Sequence, residues 1–568
     1  MRSAGRWLAF IAVVSACVGA AVAAYDLAGR AWNGVVEYRS PYAAIELPSA
    51  GVGPAAVDRV VLVIVDGLRE DASRTMSSLE SLRGYGADLV LTMPQPSLSY
   101  PNWTTILSGA EHDVHGVVTN WHEGSAPVET LLDTAEGAGI PFVVVGPSDI
   151  ATLYPVAIKA DGSFFLEWDE EYLSGRYVSE TLALVEAHEP RLVLLHLPDI
   201  DEAGHGFGGA SPEYATAVAR VDADMRRLVE GLQDTRTAFV VLADHGHLDT
   251  GGHGGWESVV TRVPAVFSGA GVRAGTGVHR LSDVAPTVAV LAGIPVPRHA
   301  TGEPLESVLS SAAPSALSAA YDQRLAATVA FARVLREPIG PASESVWPKG
   351  SHGETVTAHL EGAREDRLAF DRSSRLRGSA PWIALAAVMA LLLPMIASWR
   401  AAVSALVGAV AYHAVYNALF FLVHGNRWSL SSFNSEDLID VWMNTRMIEA
   451  AIAGLLAAAV AALVYPLLQR TPRGPRGSHL SGWLTIGPLA VLVAQATLAL
   501  QIAWFVWAWG VEPVWGMPDL KWGFKFDLDL IQSTALAGAA LLAPVVSYLV
   551  GRYHPRLRHA EHVDHRMA

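Results

Sequence analysis

The sequence of 568 residues predicts an α/β domain, with a parallel sheet sandwiched by helices, followed by an all-α polytopic membrane domain. Three observations predict it: β-type and helical runs alternate from residue 58 to 305, five long apolar runs follow residue 379, and the mean hydropathy is +0.29. The formal charge of −16 argues against nucleic acid as a partner, since nucleic acid binds a basic surface. Cys17 is the single cysteine, which excludes an intramolecular disulfide framework and a cysteine-rich zinc site.

The amino terminus predicts a signal anchor over residues 1–25 and a tether over residues 26–57. Arg2 and Arg6 precede an apolar run from Trp7 to Tyr25 that is long enough to cross a bilayer. The letters VSAC, which end at Cys17, match a lipoprotein cleavage box. Because the apolar run continues past Cys17, an uncleaved and unlipidated anchor is favoured.

Residues 58–305 predict the α/β domain. The run RVVLVIVDG is typical of a buried parallel strand that ends in a turn at Asp66. Helical runs followed by IPFVVVG, RLVLLHL and TAFVVLA repeat this pattern and indicate βαβ units. Sites in such sheets lie beyond the carboxyl ends of the strands. We therefore expect Asp66, Asp201 and Asp244 at one edge of the sheet.

The carboxyl-terminal half predicts membrane helices. Residues 306–378 indicate a helix from Ala316 to Glu337 and then a polar connector without assigned structure. Residues 379–551 predict five transmembrane helices, at 381–398, 401–423, 450–468, 483–509 and 531–550. Arg400, the segment 469–480 and the tail 552–568 are rich in arginine and would be cytoplasmic by the positive-inside rule. The interpretation is an integral membrane protein of about six spans, with its α/β domain on the extracytoplasmic side of the plasma membrane.

Residues 242–255 combine the ligand types of a zinc-type metal site in the run LADHGHLDTGGHGG. With residues at other strand ends they would hold two ions. One ion would take Asp201, His205 and His253, and the other would take Asp66, Asp244, His245 and the Ser99 oxygen. Two ions about 4 Å apart suit an in-line phosphoryl displacement, with a metal-activated hydroxyl as nucleophile. The Asn120 amide would hold a phosphate oxygen.

The ordered set VDG, SYPN, DEAGH, DHG and a later HG histidine resembles the alkaline phosphatase superfamily. More narrowly it resembles the type I phosphodiesterase/nucleotide pyrophosphatase branch, over roughly residues 58–305. The resemblance implies an alkaline-phosphatase-like fold, Ser99 as the nucleophile and Asn120 as the phosphate-binding residue. It implies these metal ligands: Asp66, Asp201, His205, Asp244, His245 and His253. Trp103 departs from the nucleotide pyrophosphatases, which commonly have histidine after the Pro-Asn pair.

The short spacing from His245 to His253, and the order of anchor, exported domain and polytopic region, resemble the ethanolamine-phosphate transferases of glycolipid-anchor assembly. This implies a phosphotransferase that moves a phosphoethanolamine-like headgroup through a phospho-Ser intermediate to a lipid or glycan acceptor. A phosphodiesterase-type hydrolase and a non-catalytic membrane scaffold are the alternatives. The implied cofactors are two divalent ions, with zinc favoured over manganese or magnesium. The implied partners are membrane lipids and a lipid-linked phosphodiester, and the oligomeric state is open.

Several neighbouring residues compete for these roles. Ser97 is the alternative to Ser99 as nucleophile, Asp199 to Asp201 as ligand, and His247 to His253 as ligand. Four histidines are expected to support a ligand from behind or to face solvent, namely His247, His112, His115 and His122. In the membrane region His413, Tyr416 and Asn417 are either functional or bonded between spans. Four tryptophans are expected as interfacial anchors, or else as the wall of a headgroup path, namely Trp428, Trp442, Trp515 and Trp522.

Overall fold

An eight-stranded sheet forms the centre of the α/β domain in the computed structural model, which describes residues 2–49, 51–167, 173–310, 312–340, 354–396, 398–434, 438–468 and 480–553. The strands are β1 Arg59–Val65, β2 Ala87–Thr92, β3 Phe142–Pro147, β4 Gly162–Leu166, β5 Leu192–Leu197, β6 Thr237–Leu242, β7 Arg262–Gly269 and β8 Gly275–Arg280. Their order in the sheet is β4-β3-β5-β1-β6-β7-β2-β8.

The sheet is mixed, because β7 runs antiparallel to both of its neighbours, β6 and β2, while every other pair is parallel. The expectation of a parallel sheet is therefore confirmed for seven strands and is wrong for one strand, β7. A parallel β7 would need a crossover to the opposite edge of the sheet. The connection 243–261 instead stays at the carboxyl end of β6, where it forms the loop with the DHG and GGHGG motifs. The reversed strand thus follows from a loop that remains at this edge.

Helices cover both faces of the sheet, as predicted. They are α2 Glu70–Ser73, α3 Ser77–Arg83, α4 Ser99–Ser108, α5 His112–His115, α6 Leu131–Gly137, α7 Ser148–Leu153, α8 Ser174–His188, α9 Asp199–Phe207, α10 Pro212–Leu232, α11 Ser258–Thr261, α12 Val284–Ala292 and α13 Pro314–Arg336. Strands β3, β5 and β6 are buried at every position, which requires cover on both faces.

Long helices form the membrane region. They are α1 Arg2–Val36, α14 Glu354–Ile396, α15 Trp399–Asn417, α16 Ile439–Leu467, α17 Leu480–Ala508 and α18 Leu520–Tyr553, with a π-helical turn at Ala418–Val423. Among the residues that the structure describes, five stretches are long and apolar enough to cross a membrane: Phe10–Val36, Trp399–Val423, Ile439–Leu467, Thr485–Ala508 and Leu520–Gly551. The predicted span 381–398 overlaps the end of α14 and residue 397, and the side chains of 381–397 lie outside the described part of the structure. Residues 469–479 and 554–568 also lie outside it.

The structure corrects four predicted boundaries. Residues 26–36 continue α1 and are not a tether, and residues 354–378 continue α14 and are not an unstructured connector. Helices α16 and α18 each begin 11 residues before the predicted apolar run. In α14 and α18 the added segments contain opposite charges paired along one helix, as in Arg367–Asp371 and Lys525–Asp529. Such pairs let a polar segment remain helical where hydropathy predicts a break.

Candidate active site

The polar residues of the candidate site follow three adjacent strands of the sheet. Asp66 follows β1, Asp201 and His205 lie on α9 after β5, and Asp244 opens the loop after β6. Because β5, β1 and β6 are neighbours and parallel, their carboxyl ends meet at one edge. The expected convergence of these acidic residues is what the fold produces.

One group of ligand-type atoms surrounds Asp201. Its members, whose ligand atoms all lie within 4.8 Å of one another, are Asp201, His245, His247 and His253. His247 Nε2 is 2.6 Å from Asp201 Oδ1, and His205 Nε2 is 3.3 Å from Asp201 Oδ2. The predicted set of Asp201, His205 and His253 is therefore in one place, with His247 added to it.

A second group consists of Asp66, Asp244 and His245, which are fully buried and also lie within 4.8 Å of one another. His245 Nε2 is 3.3 Å from Asp66 Oδ1 and 3.3 Å from Ser99 Oγ. Both Asp66 oxygens accept no hydrogen bond from the described residues, although His196 Nε2 lies 2.9 Å from Oδ2. A buried carboxyl group in this state is stabilised by protonation or by a cation. The predicted second set is thus assembled around a carboxyl group without a hydrogen-bond partner among the described residues.

Two imidazoles face each other in a way that also suits a metal. His205 Nδ1 meets the backbone oxygen of Asn434, and His253 Nδ1 lies 3.0 Å from the backbone oxygen of Ser97. A carbonyl oxygen only accepts, so each Nδ1 carries a hydrogen and each ring presents its Nε2 to the other. These Nε2 atoms are 3.1 Å apart. Two bare lone pairs at this distance would repel, so the contact requires a proton or a metal cation between or beside the two nitrogens.

Burial and mutual repulsion perturb the acidic groups strongly. Burial, reinforced by the Asp244 and Asp201 carboxylates, raises the pKa of Asp66 well above its usual range. Burial would also raise the pKa of Asp201, but its contacts with His205 and His247 outweigh burial and lower that pKa well below the usual range. Burial opposes the charged form of His205, yet Asp201 raises its pKa to about 9. Burial therefore disfavours the charged form of Asp66 unless a cation lies beside it, whereas Asp201 is kept charged by its histidines.

Ser99 and Ser97 differ clearly in their surroundings. Ser99 is the first residue of α4 and lines a large cavity, with its Oγ beside His245. Ser97 Oγ is fully buried and donates to the backbone oxygen of Gly255 over 2.9 Å. Ser97 is absent from the described cavity wall. Of the two serines, Ser99 is the one that a substrate would reach.

Asn120 and Trp103 support the segment that begins at Ser99. Asn120 Oδ1 accepts the backbone N–H of Tyr100 over 3.1 Å, and Asn120 lines the cavity. Trp103 Nε1 donates to Asp244 Oδ2 over 2.8 Å, so the departure from histidine at this position still supplies a donor to the site. Asn102 donates to the backbone oxygen of Asp244 over 2.8 Å. The SYPNW segment is therefore bonded at several points to the loop after β6, residues 243–261, which we call the metal loop.

The structure distinguishes Asp199 from Asp201 as the candidate metal ligand. The Asp199 carboxylate accepts the backbone N–H groups of Leu173 and Ser174, over 2.8 and 2.7 Å, at the start of α8. It therefore caps a helix. Asp201 points into the cluster of histidines.

The other histidines divide into three cases. His247 is fully buried inside the cluster with Nε2 at Asp201 Oδ1, so it does not face solvent, and its contact is compatible with the predicted support of a ligand from behind. His112 supports Asn102 and His115 supports Thr105, both from behind the site. His122 is half-buried near the backbone of Ser125.

Two contributors to the site were not predicted. His196 in β5 is fully buried beside Asp66, and burial lowers its pKa to about 3. Its only sequence signal is a polar residue inside the apolar run RLVLLHL. Asn434 belongs to the loop between two membrane helices and bonds to His205 at two points. No local pattern marks it, since the contact spans 229 residues.

The membrane region forms the other wall of the cavity, which has a volume of about 1100 Å³. Ser99, His205 and His253 lie on one side. Apolar and aromatic residues of the helices lie on the other, including Trp442, Phe524, Phe526, Leu528 and Ile531. This volume exceeds the usual range of about 300–1,000 Å³ for small-molecule sites. The cavity joins the candidate nucleophile to the membrane helices.

The polar and aromatic residues of the membrane region have several roles. His413 Nε2 lies 2.6 Å from Thr497 Oγ1, which is a bond between spans, one of the two predicted alternatives. Of the four predicted tryptophans, only Trp442 is on the described cavity wall. Trp515 donates to Asp371, and Trp428 and Trp522 pack together with ring centroids 5.9 Å apart. Cys17 is fully buried within α1, whose helix continues past it.

The sheet and the Asp/His cluster together define an α/β domain of the metal-binding kind, joined to membrane helices. The profile of the family described as type I phosphodiesterase / nucleotide pyrophosphatase matches residues 60–353, just over half of the chain. The chain therefore belongs to this family of enzymes, within the alkaline phosphatase superfamily. The predicted family and fold class are confirmed.

Individual relatives are distant. The human GPI ethanolamine phosphate transferase 2, catalytic subunit, is 22% identical over 292 residues, which cover 46% of this chain and 30% of the relative. The mouse GPI ethanolamine phosphate transferase 1 is 24% identical over 307 residues, with 44% and 32% covered. The chain thus spans about a third of the length of these curated relatives.

Among solved structures, murine ectonucleotide pyrophosphatase / phosphodiesterase 5 is 14% identical, with a TM-score of 0.36 and coverage of 42% of this chain and 96% of that one. Wild-type alkaline phosphatase PafA is 13% identical, with a TM-score of 0.38 and coverage of 46% and 100%. At these scores the family assignment rests on the sequence match.

Proposed function

We propose that this protein is a membrane-bound phosphotransferase that takes a phosphoethanolamine-like headgroup from a lipid phosphodiester onto Ser99 and passes it to a lipid or glycan hydroxyl. The observation that carries the proposal is the cavity, because it is lined both by Ser99 and by helices of the membrane region. A soluble phosphodiester would not need a site that is lined by membrane helices. The names of the distant relatives, which are ethanolamine phosphate transferases, agree with this substrate class.

The residues of the site fit two divalent ions. Asp66, Asp244 and His245 would hold one ion next to Ser99, and Asp201, His205, His253 and His247 surround the place of the other. The orphaned Asp66 oxygens and the facing Nε2 atoms support this assignment. Zinc is favoured, because imidazole nitrogens make up more than half of the ligand set. Bound ions would lower the pKa of a hydroxyl and neutralise charge on the transferring phosphoryl group.

The chain's own residues would act as follows. Ser99 Oγ attacks phosphorus, the Oγ–P bond forms as the bond to the lipid alcohol breaks, and Ser99 loses a proton while the departing alcohol gains one. Ser99 stands at the amino terminus of α4, where backbone N–H groups favour an anionic phosphate. Asn120, whose Oδ1 is engaged by Tyr100, would turn its NH₂ group to a phosphate oxygen. The acceptor hydroxyl then attacks phosphorus and Ser99 leaves.

The charges on the cavity wall support a cationic headgroup. Glu202, Asp440 and Asp527 line it, and the described lining residues include no Lys or Arg. Aromatic rings such as Trp442 lie on the same wall and suit an ammonium group. An anionic headgroup, such as phosphoglycerol or phosphoinositol, would lose its solvation without gaining a counter-charge. We therefore favour an aminoalkyl phosphate.

The loops of the membrane region support the proposed sidedness. The segment 424–434 and the loop 509–519 both contact the α/β domain or its connecting helix, through Trp428 with Trp256 and Trp515 with Asp371. These two loops and the α/β domain therefore lie on one side of the membrane helices. The positive-inside rule makes the arginine-rich segments cytoplasmic, which would leave these loops and the α/β domain outside. We propose six spans with an extracytoplasmic active site.

Replacement of each serine tests the nucleophile. Ser99→Ala should abolish phospho-enzyme formation and lower turnover by at least about 10³-fold, because nothing else at that place bonds to phosphorus. Ser97→Ala is the matched control and should keep the phospho-enzyme, since its hydroxyl bonds only backbone in the described structure. Phospho-enzyme is measured by acid quench and mass spectrometry of the tryptic peptide. Full turnover in Ser99→Ala would overturn the mechanism.

Tracing of a labelled headgroup separates the transferase from the hydrolase. Purified protein in nanodiscs is given phosphatidylethanolamine labelled in its headgroup, together with candidate lipid and glycan acceptors. Transfer of the label to an acceptor supports the proposal. Free phosphoethanolamine as the sole product, with acceptors present, would make the enzyme a hydrolase.

A further inference from the structure

The segment 424–434, between the turn that ends α15 and the start of α16, packs against the metal loop of the α/β domain. Ser429 and Ser431 donate to the buried Glu257 carboxylate over 2.9 and 3.0 Å. Ser431 Oγ also accepts the backbone N–H of Gly255 over 3.0 Å. These buried bonds hold a loop of the membrane region directly on the GGHGG motif.

Asn434, at the end of this segment, contacts a candidate metal ligand twice. Its Nδ2 donates to the backbone oxygen of His205 over 2.7 Å, and its own backbone oxygen meets His205 Nδ1. The carbonyl requires a hydrogen on Nδ1 and thereby orients the ring with Nε2 facing Asp201 and His253. Asn434 therefore fixes both the hydrogen on Nδ1 and the position of His205.

Two glycines of the motif are explained by the same contact. A Cβ atom on Gly252 would lie 2.5 Å from the backbone oxygen of Ser431, and one on Gly251 would lie 2.3 Å from Asn434 Oδ1. Any side chain at either position would displace the segment. The motif thus provides a glycine surface on which the membrane loop rests, two residues before His253.

We propose that Asn434 is a positioning residue for His205, so that the metal site is complete only when the membrane loop is docked on the α/β domain. The inference rests on the metal site of the proposed function and adds a contributor from outside the family's matched residues 60–353. Ligating histidines depend in this way on an acceptor for the other ring nitrogen, and loss of that acceptor weakens metal binding by about 10–100-fold.

The test compares two Asn→Ala variants of the same segment in the full-length protein. Asn434→Ala removes the Nδ2 bond that holds Asn434 against His205, so that its backbone oxygen is no longer fixed at Nδ1. Asn426→Ala removes a side chain whose Nδ2 makes no hydrogen bond in the described structure. Both are stripped of metal in detergent and titrated with Zn²⁺ against a chromophoric chelator. Asn434→Ala should bind one of two ions about 10–100-fold more weakly, and Asn426→Ala should match the wild type. The cobalt-substituted absorption spectrum should change in Asn434→Ala alone.

A double-mutant cycle distinguishes positioning from general destabilisation. If Asn434 acts through His205, then adding Asn434→Ala to His205→Ala should change the Zn²⁺ dissociation constant by less than about threefold. An equal loss in both backgrounds would overturn the proposal, as would wild-type binding and an unchanged cobalt spectrum in Asn434→Ala. Binding of two ions by the wild type with no effect at Asn434 refutes this inference alone. No binding by the wild type refutes the proposed function as well.

Discussion

Replacement of Trp103 by phenylalanine would remove one hydrogen-bond donor from the centre of the candidate site. Trp103 is fully buried, and its Nε1 donates to Asp244 Oδ2 over 2.8 Å. Asp244 Oδ1 already accepts the backbone N–H groups of Gly67 and His245. Phenylalanine occupies most of the same space but has no donor, so the variant tests this one bond.

The expected loss of stability can be estimated from the structure. A hydrogen bond to a buried charged group contributes about 1.5–3 kcal/mol. The smaller ring also leaves a void next to His196, whose ring centroid lies 4.5 Å from that of Trp103, and the void costs about 1 kcal/mol more. The sum of about 3 kcal/mol corresponds to a fall of roughly 6–12 °C in the melting temperature of a domain of this size. Zinc affinity at the Asp66–Asp244–His245 group should fall by about 10–100-fold.

The assay is thermal unfolding of the purified full-length protein after treatment with a chelator, with zinc titration on the same samples. Trp121→Phe is the control, since Trp121 lies on the cavity wall against Trp32. A shift for Trp103→Phe no larger than that of the control, with unchanged zinc affinity, would refute the reasoning. It would show that the Trp103–Asp244 bond contributes nothing to the site.

Three further predictions concern carboxylates. Burial would raise the pKa of Asp222, but hydrogen bonds from Ser78 outweigh it and lower that pKa, so the contribution to stability is complete above about pH 4 and is lost as the pH falls further. Asp222→Ala should therefore destabilise by about 1 kcal/mol at pH 7, and melting curves should converge with the wild type in acid. Asp199→Ala should lower the melting temperature but retain both ions by elemental analysis, whereas Asp201→Ala should lose at least one. Asp527→Asn should raise KM for an ammonium-bearing phosphodiester by about tenfold, equivalent to ~1.4 kcal/mol, with little change for a neutral headgroup.

The sheet and most of the site were predictable because their signals are local. Buried parallel strands are continuous apolar runs, and the polar residue that ends each run lies at the same edge as the others. This rule predicts Asp66 and Asp244, and it places Asp199 and Asp201 at the same edge without choosing between them. The reversed direction of β7 could not be predicted in this way, since strand direction depends on the path of the connecting loop.

The helix boundaries in the membrane region could not be predicted from hydropathy alone. Hydropathy marks the apolar centre of a span, but Arg446 and Glu449 lie inside α16 as a buried pair, 3.1 Å apart. A pair of opposite charges on neighbouring turns is compatible with a buried helix, although each residue alone predicts an end. The observed helices are therefore longer than the predicted runs.

The amino-acid sequence by itself determined the family, the two-part architecture and the ligand types of LADHGHLDTGGHGG. Only the tertiary structure decided that His247 lies within the cluster, that Ser97 is bonded to backbone, and that a membrane loop supplies Asn434 to His205. The physical reason is that ligand chemistry and strand periodicity are properties of short segments. The orientation of an imidazole is instead set by its hydrogen-bond partner, and here that partner is 229 residues away.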